Sequence, residues 1–599
     1  MNPKHTWTWV AIAAALLAFI FLFERHWRQA NPGPAPLLPN FKAATVTSLK
    51  VQPANIPEIR VERTNATWAI TQPLAFPANQ ARVEALLLVL ERLAPVAVIS
   101  AAESQRRPKA DEEYGFDNPQ MAVELQQPAA RTQLKIGRRT APGDQVFVQV
   151  VGGVDTFVVD ADLLKLLPAS VNDWRDPTLM DLRPLVFDRI TITNAGKVIA
   201  LQREATNNNW RITEPLAARA DAGHLLLLLQ KLQGLSISQF VSDNPTADLD
   251  AFGLSPPSLS IAFARGTNAV AALQFGKTNG VGHFFARRCG INSVVTVPPE
   301  PLASWREQFY EFRDRQLLAL PAELREIEVQ AAEHFTLQRE GSNAWRFAAE
   351  KFPADPALVS DFLANLGRLE ITQFMQDAVL NPDLARYGLT APVYQVVFKI
   401  PAAVGATNVP FAHLSFGTNT GENIYARRAE EESVYAVKLA DFQTLPTAGW
   451  RLRQRRIWNF LEHEVARVVI HQSGRTRELI HDGTNSWSLG AGPPGIVNVL
   501  ALEQVTHGFC DAAAAPWVTA WVAHGEAARD ARFGFTTNSL ALTFELKRGE
   551  KSDLQFGALS PAQSPYARVT LEGEPWVFEF STTLSELVAN YFTIPASGP

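Results

Sequence analysis

Apolar and polar residues alternate with a period of two along much of this chain, in short runs. Leu134-Lys135-Ile136-Gly137, Leu273-Gln274-Phe275-Gly276, Leu414-Ser415-Phe416-Gly417 and Leu554-Gln555-Phe556-Gly557 share one pattern. Such alternation turns one face of a strand to a core and the other to water. The closing glycines stand 139, 141 and 140 residues apart, which makes the chain a repeat. Helical spacing replaces alternation at Val83 to Leu93, His224 to Leu232, Val359 to Leu369 and Val497 to Val505. Asn79 is suited to cap the first of these helices. Asp355, followed by Pro356, is suited to cap the third. The leucines from Leu225 to Leu229 predict a second helix buried all round.

Three further landmarks recur in the same order. A tryptophan strand precedes each helix, at Trp68, Trp210, Trp345 and Trp487. An aromatic-Gly-apolar turn follows each helix: Tyr114-Gly115-Phe116, Phe252-Gly253-Leu254, Tyr387-Gly388-Leu389 and Phe533-Gly534-Phe535. Pro119, Pro257 and Pro392 stand four residues past the first three glycines, and Asn538 past the last. Glycine admits positive φ and proline stops a helix, so a strand opens there and the ring is placed to plug a core. Val146-Phe147-Val148, Phe284-Phe285-Ala286, Ile424-Tyr425-Ala426 and Pro565-Tyr566-Ala567 begin the strand after the glycine-ended one. Trp174-Arg175-Asp176 and Phe312-Arg313-Asp314 mark two module ends, and Trp450-Arg451-Leu452 a looser third. The expected class is α+β, with four tandem modules of about seven short, mainly antiparallel strands and two helices each. The modules are expected at 45–182, 183–320, 321–460 and 461–599, after an anchor at 1–29 and a proline-rich stalk at 30–44.

Trp-x-Ile-x-x-Pro before a helix, Tyr-Gly-Leu-x-x-Pro, the strand ending in glycine and a Tyr-x-Arg strand together resemble the bacterial domain-of-unknown-function family 4340. The resemblance covers essentially everything after the stalk. The fourth module departs most: Asn538 replaces proline, and Gly490-Ala491-Gly492 replaces the stretch that ends in proline elsewhere. What the resemblance implies is a cell-envelope protein with an N-terminal anchor. Such proteins are often encoded near ABC exporter components of the gliding-motility type. It implies no known activity.

Trp7 to Phe23 holds 17 residues without a charge, flanked by Trp7, Trp9 and Trp27. Trp7 and Trp27 are separated by roughly 30 Å of helix, which matches a bilayer core and its indole-rich interfaces. No small-x-small cleavage site follows, so an uncleaved signal anchor is expected rather than a cleaved signal peptide. The expected placement is single-pass in the bacterial inner membrane with the array in the periplasm, and a cytoplasmic-facing scaffold is the alternative. Pro32, Pro34, Pro36 and Pro39 predict an extended polyproline II stalk.

Composition narrows function by exclusion. The 599 residues carry a formal charge of −5, which offers no footprint for nucleic acid. Cys289 and Cys510 fall in different modules and read as small hydrophobes. Gly490-Ala491-Gly492-Pro493-Pro494-Gly495 fits GxGxxG, but its prolines lack the N–H groups that would cradle phosphate. His463, His471, His481, His507 and His524 crowd the last module without metal-ligand spacing. Arg287, Arg427 and Arg568 share one strand position, and Arg451, Arg453, Arg455 and Arg456 form the densest basic run, read as solvated faces and inter-module salt bridges. No catalytic, cofactor-binding or metal-ligating residue is assigned. The expectation is a non-enzymatic, membrane-anchored repeat scaffold or binding array, with envelope or ABC-transporter proteins as partners. The alternative is a ligand-binding or hydrolytic site in the divergent fourth module.

Overall fold

The structure, a computed structural model, describes residues 15–19, 35–54, 56–205, 208–341, 344–402, 408–483, 486–493, 497–510 and 516–594. Most of the expected membrane helix, Trp7 to Phe23, lies outside them; residues 15–19 are helical. No helix among the described residues is long and apolar enough to cross a membrane. The chain divides into two compact units, Met1–Arg313 and Asp314–Pro599.

Each unit holds two antiparallel sheets, and all four sheets share one topology. In the first, β1 (Ser48–Pro53), β2 (Ile59–Thr64), β3 (Thr67–Gln72) and β4 (Phe76–Pro77) form a meander. The helix Gln80–Arg92 follows, then β5 (Ala97–Ile99). A second meander runs through β6 (Met121–Gln127), β7 (Ala130–Arg139), β8 (Gln145–Val150) and β9 (Thr156–Asp160). Pairing of β1 with β6 joins the meanders, and β5 returns to pair with β9, giving the order β4-β3-β2-β1-β6-β7-β8-β9-β5. Among the described residues the second sheet repeats the nine strands, and the third and fourth have eight. The strand after the long helix was not anticipated and raises the count above about seven. Among the described residues a closing helix of length is present only in the fourth module, Thr582–Tyr591. The first and third modules have four-residue turns of helix, Leu163–Leu166 and Leu439–Phe442, and the second has 3-10 turns.

The long helix packs on one sheet face. Val83, Leu86, Leu87 and Leu90 meet Leu49, Val51, Val61, Val123, Leu134, Ile136, Val146 and Val148. Burying each such side chain contributes about 1.5–3 kcal/mol. Equivalent cores form around Leu225, Leu228 and Leu232, around Val359, Phe362 and Leu366, and around Leu502, Val505 and Phe509. The second helix is not buried all round: Leu226 and Leu227 are more than half exposed, because only one stripe faces the sheet. The expected stalk is also corrected over its described part. Leu37, Leu38, Phe41 and Ala43 are buried in the first core, and Leu37 N–H donates to the Leu93 carbonyl at 2.6 Å. Apolar residues among those prolines favour packing over an extended stalk.

A second, smaller core lies on the opposite face. Val146 and Val148 belong to the main core, so Phe147 between them points away from it. Tyr114 packs there, ring centroids 4.7 Å apart. Phe252 on Phe285, Tyr387 on Tyr425 and Phe533 on Tyr566 repeat the contact at 5.1, 4.9 and 5.0 Å. The two glycine landmarks explain one another. Gly115, Gly253, Gly388 and Gly534 have φ of 80°, 67°, 69° and 69°, which turns the loop back on the sheet. A Cβ on Gly137, Gly276, Gly417 or Gly557 would stand 2.0, 2.1, 2.0 or 2.1 Å from the carbonyl oxygen of Tyr114, Phe252, Tyr387 or Phe533. Each of those strands carries a bulge at that glycine.

Candidate functional site

Two polar constellations stand out among the described residues, one at the module junctions and one inside the fourth module. The first begins with chain geometry. Asn79, Asp221 and Asp355 cap the three long helices of the first three modules by accepting from Arg82, His224, and Ala357 and Leu358. The residue before each cap forms a β-bridge with an arginine: Ala78 with Arg175, Ala220 with Arg313, Ala354 with Arg453. The third module end is therefore Leu452-Arg453-Gln454. The expected Trp450-Arg451-Leu452 is out of register by two residues, and Arg451 is an exposed side chain over the Trp450 ring.

All three arginines are buried. Arg175 lies between Phe76 of the first module and Phe240 of the second, its guanidinium carbon 4.4 and 4.0 Å from the ring centroids. It closes a bidentate pair with Asp243 and donates to Ser293 Oγ at 2.8 Å. Burial raises the Asp243 carboxyl, but Arg175 and Ser293 together hold it below the ordinary carboxylate range. Arg453 repeats the device in the second unit. It donates to both oxygens of Glu572 at 2.8 and 2.7 Å and lies over Phe352, Trp521 and Trp576 at 4.9, 5.7 and 4.3 Å. Trp521 Nε1 donates to the Arg453 carbonyl at 2.9 Å. Arg455 pairs with the cap Asp355 at 3.0 Å. A planar guanidinium is suited to this combined stacking and bidentate pairing. Arg313 lies over Phe309 at 5.9 Å.

The second constellation concerns the tryptophan landmark. In three modules the residue paired across from the tryptophan is an arginine whose guanidinium covers the indole. These pairs are Arg63 on Trp68 at 5.5 Å, Arg203 on Trp210 at 4.9 Å and Arg339 on Trp345 at 5.9 Å. In the fourth, His481 takes that register opposite Trp487 and stacks on it at 4.5 Å with an 18° tilt. Its Nδ1 is 3.0 Å from the Val465 carbonyl oxygen and its Nε2 2.8 Å from Glu503 Oε1, which also accepts from Trp487 Nε1 at 3.0 Å. His481 and Glu503 are both buried. Glu503 stands five residues past Asn498, as Glu84 stands five past Asn79, and Glu84 pairs with Arg63 at 3.6 Å.

Glu462 lies beside Glu503 and accepts from His507 Nδ1 at 3.0 Å. Burial pushes Glu462 up, and the facing Glu503 adds to this against the pull of His507. Burial also raises Glu503, but Glu462, His481 and Trp487 hold it below its ordinary value. Of two adjacent carboxyls, Glu462 is thus the one held above its ordinary value and Glu503 the one held below.

Two further histidines of the fourth module make their contacts elsewhere. His471 contacts Thr476 at 2.9 Å, and His524 stacks on Trp576 at 4.7 Å. Among the described residues no group of three His, Cys, Asp or Glu side chains could hold a metal ion. Part of the GxGxxG run, residues 494–495, lies outside the described residues. Burial pushes the Cys510 thiol up to about 12, as for an inert core thiol. Arg287 and Arg568 donate to Gln274 and Gln555 of the neighbouring strand. A hollow of about 550 Å³ in the first module mixes Arg107 and Lys109 with Asp111, Glu112 and Asp117, a lining without one sign of charge.

Sequence reading took Arg175 and Arg313 as module-end landmarks and Arg453 as part of a run with inter-module salt bridges. It did not reach their stacking on aromatic rings, and it missed the arginines over the indoles. The arginine or histidine over the indole stands 5, 7, 6 and 6 residues before its tryptophan, because the connecting hairpin loops differ in length. The usable signal was the period-2 register on each side of the hairpin. Three consecutive segments of the chain, residues 68–209, 210–348 and 345–507, match one family model, described as Domain of unknown function (DUF4340). No curated protein matches the chain.

Proposed function

The chain belongs to the DUF4340 family as tandem copies of its domain, and from that premise we propose that it is a non-enzymatic scaffold or binding array of the bacterial cell envelope. In this reading it is anchored in the inner membrane by its N-terminal segment, with the array in the periplasm, and serves an ABC-type export or gliding-type assembly. The observation that carries the scaffold reading is the repeated junction. Arg175 and Arg453, at equivalent positions, each stack on aromatics of two consecutive modules while pairing with a carboxylate of the second. Polar residues recurring in register are thus used to lock modules together, as in arrays whose stability rests on nearest-neighbour interfaces.

Crosslinking the full-length protein in intact membranes, followed by solubilisation and purification, tests this. Integral membrane components are expected in fixed proportion, and a reporter fused at Pro599 is expected to be active in the periplasm. Arg453→Lys, which keeps the charge but not the bidentate stack, is expected to loosen the second unit and lower partner recovery at least about tenfold. Recovery of no specific partner, or turnover of a substrate by the purified protein, would overturn the reading. The second reading, a ligand-binding or hydrolytic site in the fourth module, is favoured by the His481, Glu503, Glu462 and His507 cluster. Burial of His481 and Glu503 weighs against it, since a general base must reach its substrate.

A further inference from the structure

We infer that the fourth module contains a proton-dependent clamp, in which a charged His481 takes the structural place that a permanently charged arginine holds in the first three modules. Two observations carry this. The first is positional: Arg63, Arg203, Arg339 and His481 occupy one cross-strand register, each against the landmark tryptophan. The partners are equivalent as well. Arg339 Nη1 donates to the Leu324 carbonyl at 3.3 Å, near the start of its module's first strand, and His481 Nδ1 faces the Val465 carbonyl at the start of its own. Arg63 pairs with Glu84 of the helix as His481 pairs with Glu503.

The second is the donor count. Nδ1 of His481 faces a main-chain carbonyl, which can only accept. Nε2 faces Glu503 Oε1, which already accepts from the Trp487 indole. Both ring nitrogens therefore have to donate, and only the imidazolium does so. A ring that lost its Nε2 proton would set a lone pair against a buried carboxylate, which leaves two acceptors facing each other out of water.

The surroundings fix the sign. The helix Val499–Cys510 presents Glu503 and, behind Glu462, His507; the short turn before the first strand presents Glu462. The strand Val465–Gln472 offers a carbonyl, its Arg467 being paired with Glu545 and Glu478. The strand Ser486–Leu489 offers Trp487. On the strand of His481 itself, Arg477 is buried and donates to the Thr593 carbonyl at 3.3 Å. Glu503 is depressed, so it stays ionised through the range in which an imidazole titrates, about pH 5 to 8. Glu462 is raised, so its contribution to stability is also lost as pH rises. The clamp accordingly holds while both ring nitrogens of His481 donate, and loses a donor where high pH removes one of the two protons. In the first three modules the guanidinium does not titrate.

Hydrogen exchange of the full-length protein tests the clamp, corrected for the intrinsic pH dependence of exchange. Segments 475–482 and 499–510 are expected to lose protection by about tenfold or more between about pH 5.5 and about pH 8, the effect of one buried hydrogen bond left unmade, while segment 59–72 around Arg63 does not. His481→Arg is expected to remove most of that slope, Glu462 supplying the remainder. His481→Gln is expected to hold protection at the low, alkaline level throughout. An unchanged slope in His481→Arg, or none in the wild type, overturns the inference. Should His481→Arg fail to fold, ring-nitrogen NMR of the wild type decides. Two N–H protons on His481 at a pH where exposed histidines have lost theirs supports the clamp, and a neutral ring there refutes it.

Discussion

At Gly417 the main chain of one loop touches the main chain of a strand with no room for a single carbon. The nearest obstacle to a Cβ is the Tyr387 carbonyl oxygen at 2.0 Å, and backbone cannot step aside as a flexible side chain would. Gly417→Ala is therefore expected to destabilise its unit by about 2–4 kcal/mol, through displaced backbone and loss of the small core around Tyr387 and Tyr425. Gly367 is the contrast. It ends the third module's helix with nothing within 4 Å of its Cβ and no positive φ. Gly367→Ala is expected to be neutral or to stabilise by up to about 1 kcal/mol, by restricting the unfolded chain. Urea midpoints of the two variants should separate in opposite directions. Equal midpoints would mean that the loop does not dock through this glycine.

At the scale of an element, one face decides. The second module's helix reads as uniformly apolar, yet Leu225, Leu228 and Leu232 are buried while Leu226 and Leu227 stand in water. Leu228→Ala is expected to cost about 2–5 kcal/mol, and Leu226→Lys within about 0.5 kcal/mol of nothing. Thermal unfolding would show both, and a large loss for Leu226→Lys would place a partner or a packing contact on that face. The third module's helix adds a pH-dependent cap. Burial raises the Asp355 carboxyl, but Arg455 and the Leu358 amide hold it below the ordinary range. A depressed carboxylate stabilises above its unfolded pKa, about 3.9, and that stability is lost as pH falls. Asp355→Asn keeps a good cap but not the charge. Its stability deficit against the wild type is expected to be full near pH 6 and to shrink as pH falls below about 4. A deficit that persists in acid would show that the ion pair contributes nothing.

Legibility follows the same division. The long helices, the caps Asn79 and Asp355, the glycine turns and the paired strands were readable because local chemistry specifies them: period, cap side chain, positive φ. The strand Ala97–Ile99 was not, since three residues at a sheet edge leave no period to detect. Nor was the exposure of Leu226, which depends on where the sheet lies and not on the helix. The candidate sites were the least legible. In the sequence Arg175 is a module-end landmark and Arg453 a member of a basic run, and only the bridge beside the helix cap places them under aromatic rings of two modules. His481 was singled out as one of five histidines in the last module. That it stands in for an arginine appears only once four hairpins of unequal length are aligned by their pairing.

At the scale of the molecule, the phase of the repeat matters. The family matches begin at or beside the tryptophan strand, at residues 68, 210 and 345, whereas the sheets begin at Ser48, Arg189, Glu326 and Val465. A segment cut at a match boundary therefore carries the first two strands of the next sheet and lacks those of its own. In the third sheet the missing pair would be Glu326–Gln330 and His334–Glu340. The loss is not peripheral, because Glu326–Gln330 joins the meander containing Tyr394–Ile400 to the tryptophan hairpin. Without it the apolar row of Tyr394, Val396 and Phe398 loses its neighbour along the sheet and an edge is left open. Residues 314–599, which keep both sheets of their unit whole, are expected to unfold in one cooperative transition. Residues 345–599 are expected to lose that transition for the third sheet and to aggregate through the opened edge, while segments of the fourth sheet keep their hydrogen-exchange protection. If 345–599 unfolded as cooperatively as 314–599, the tryptophan strand would be the true start of the folding unit, and the first hairpin of each sheet would belong energetically to the module before it.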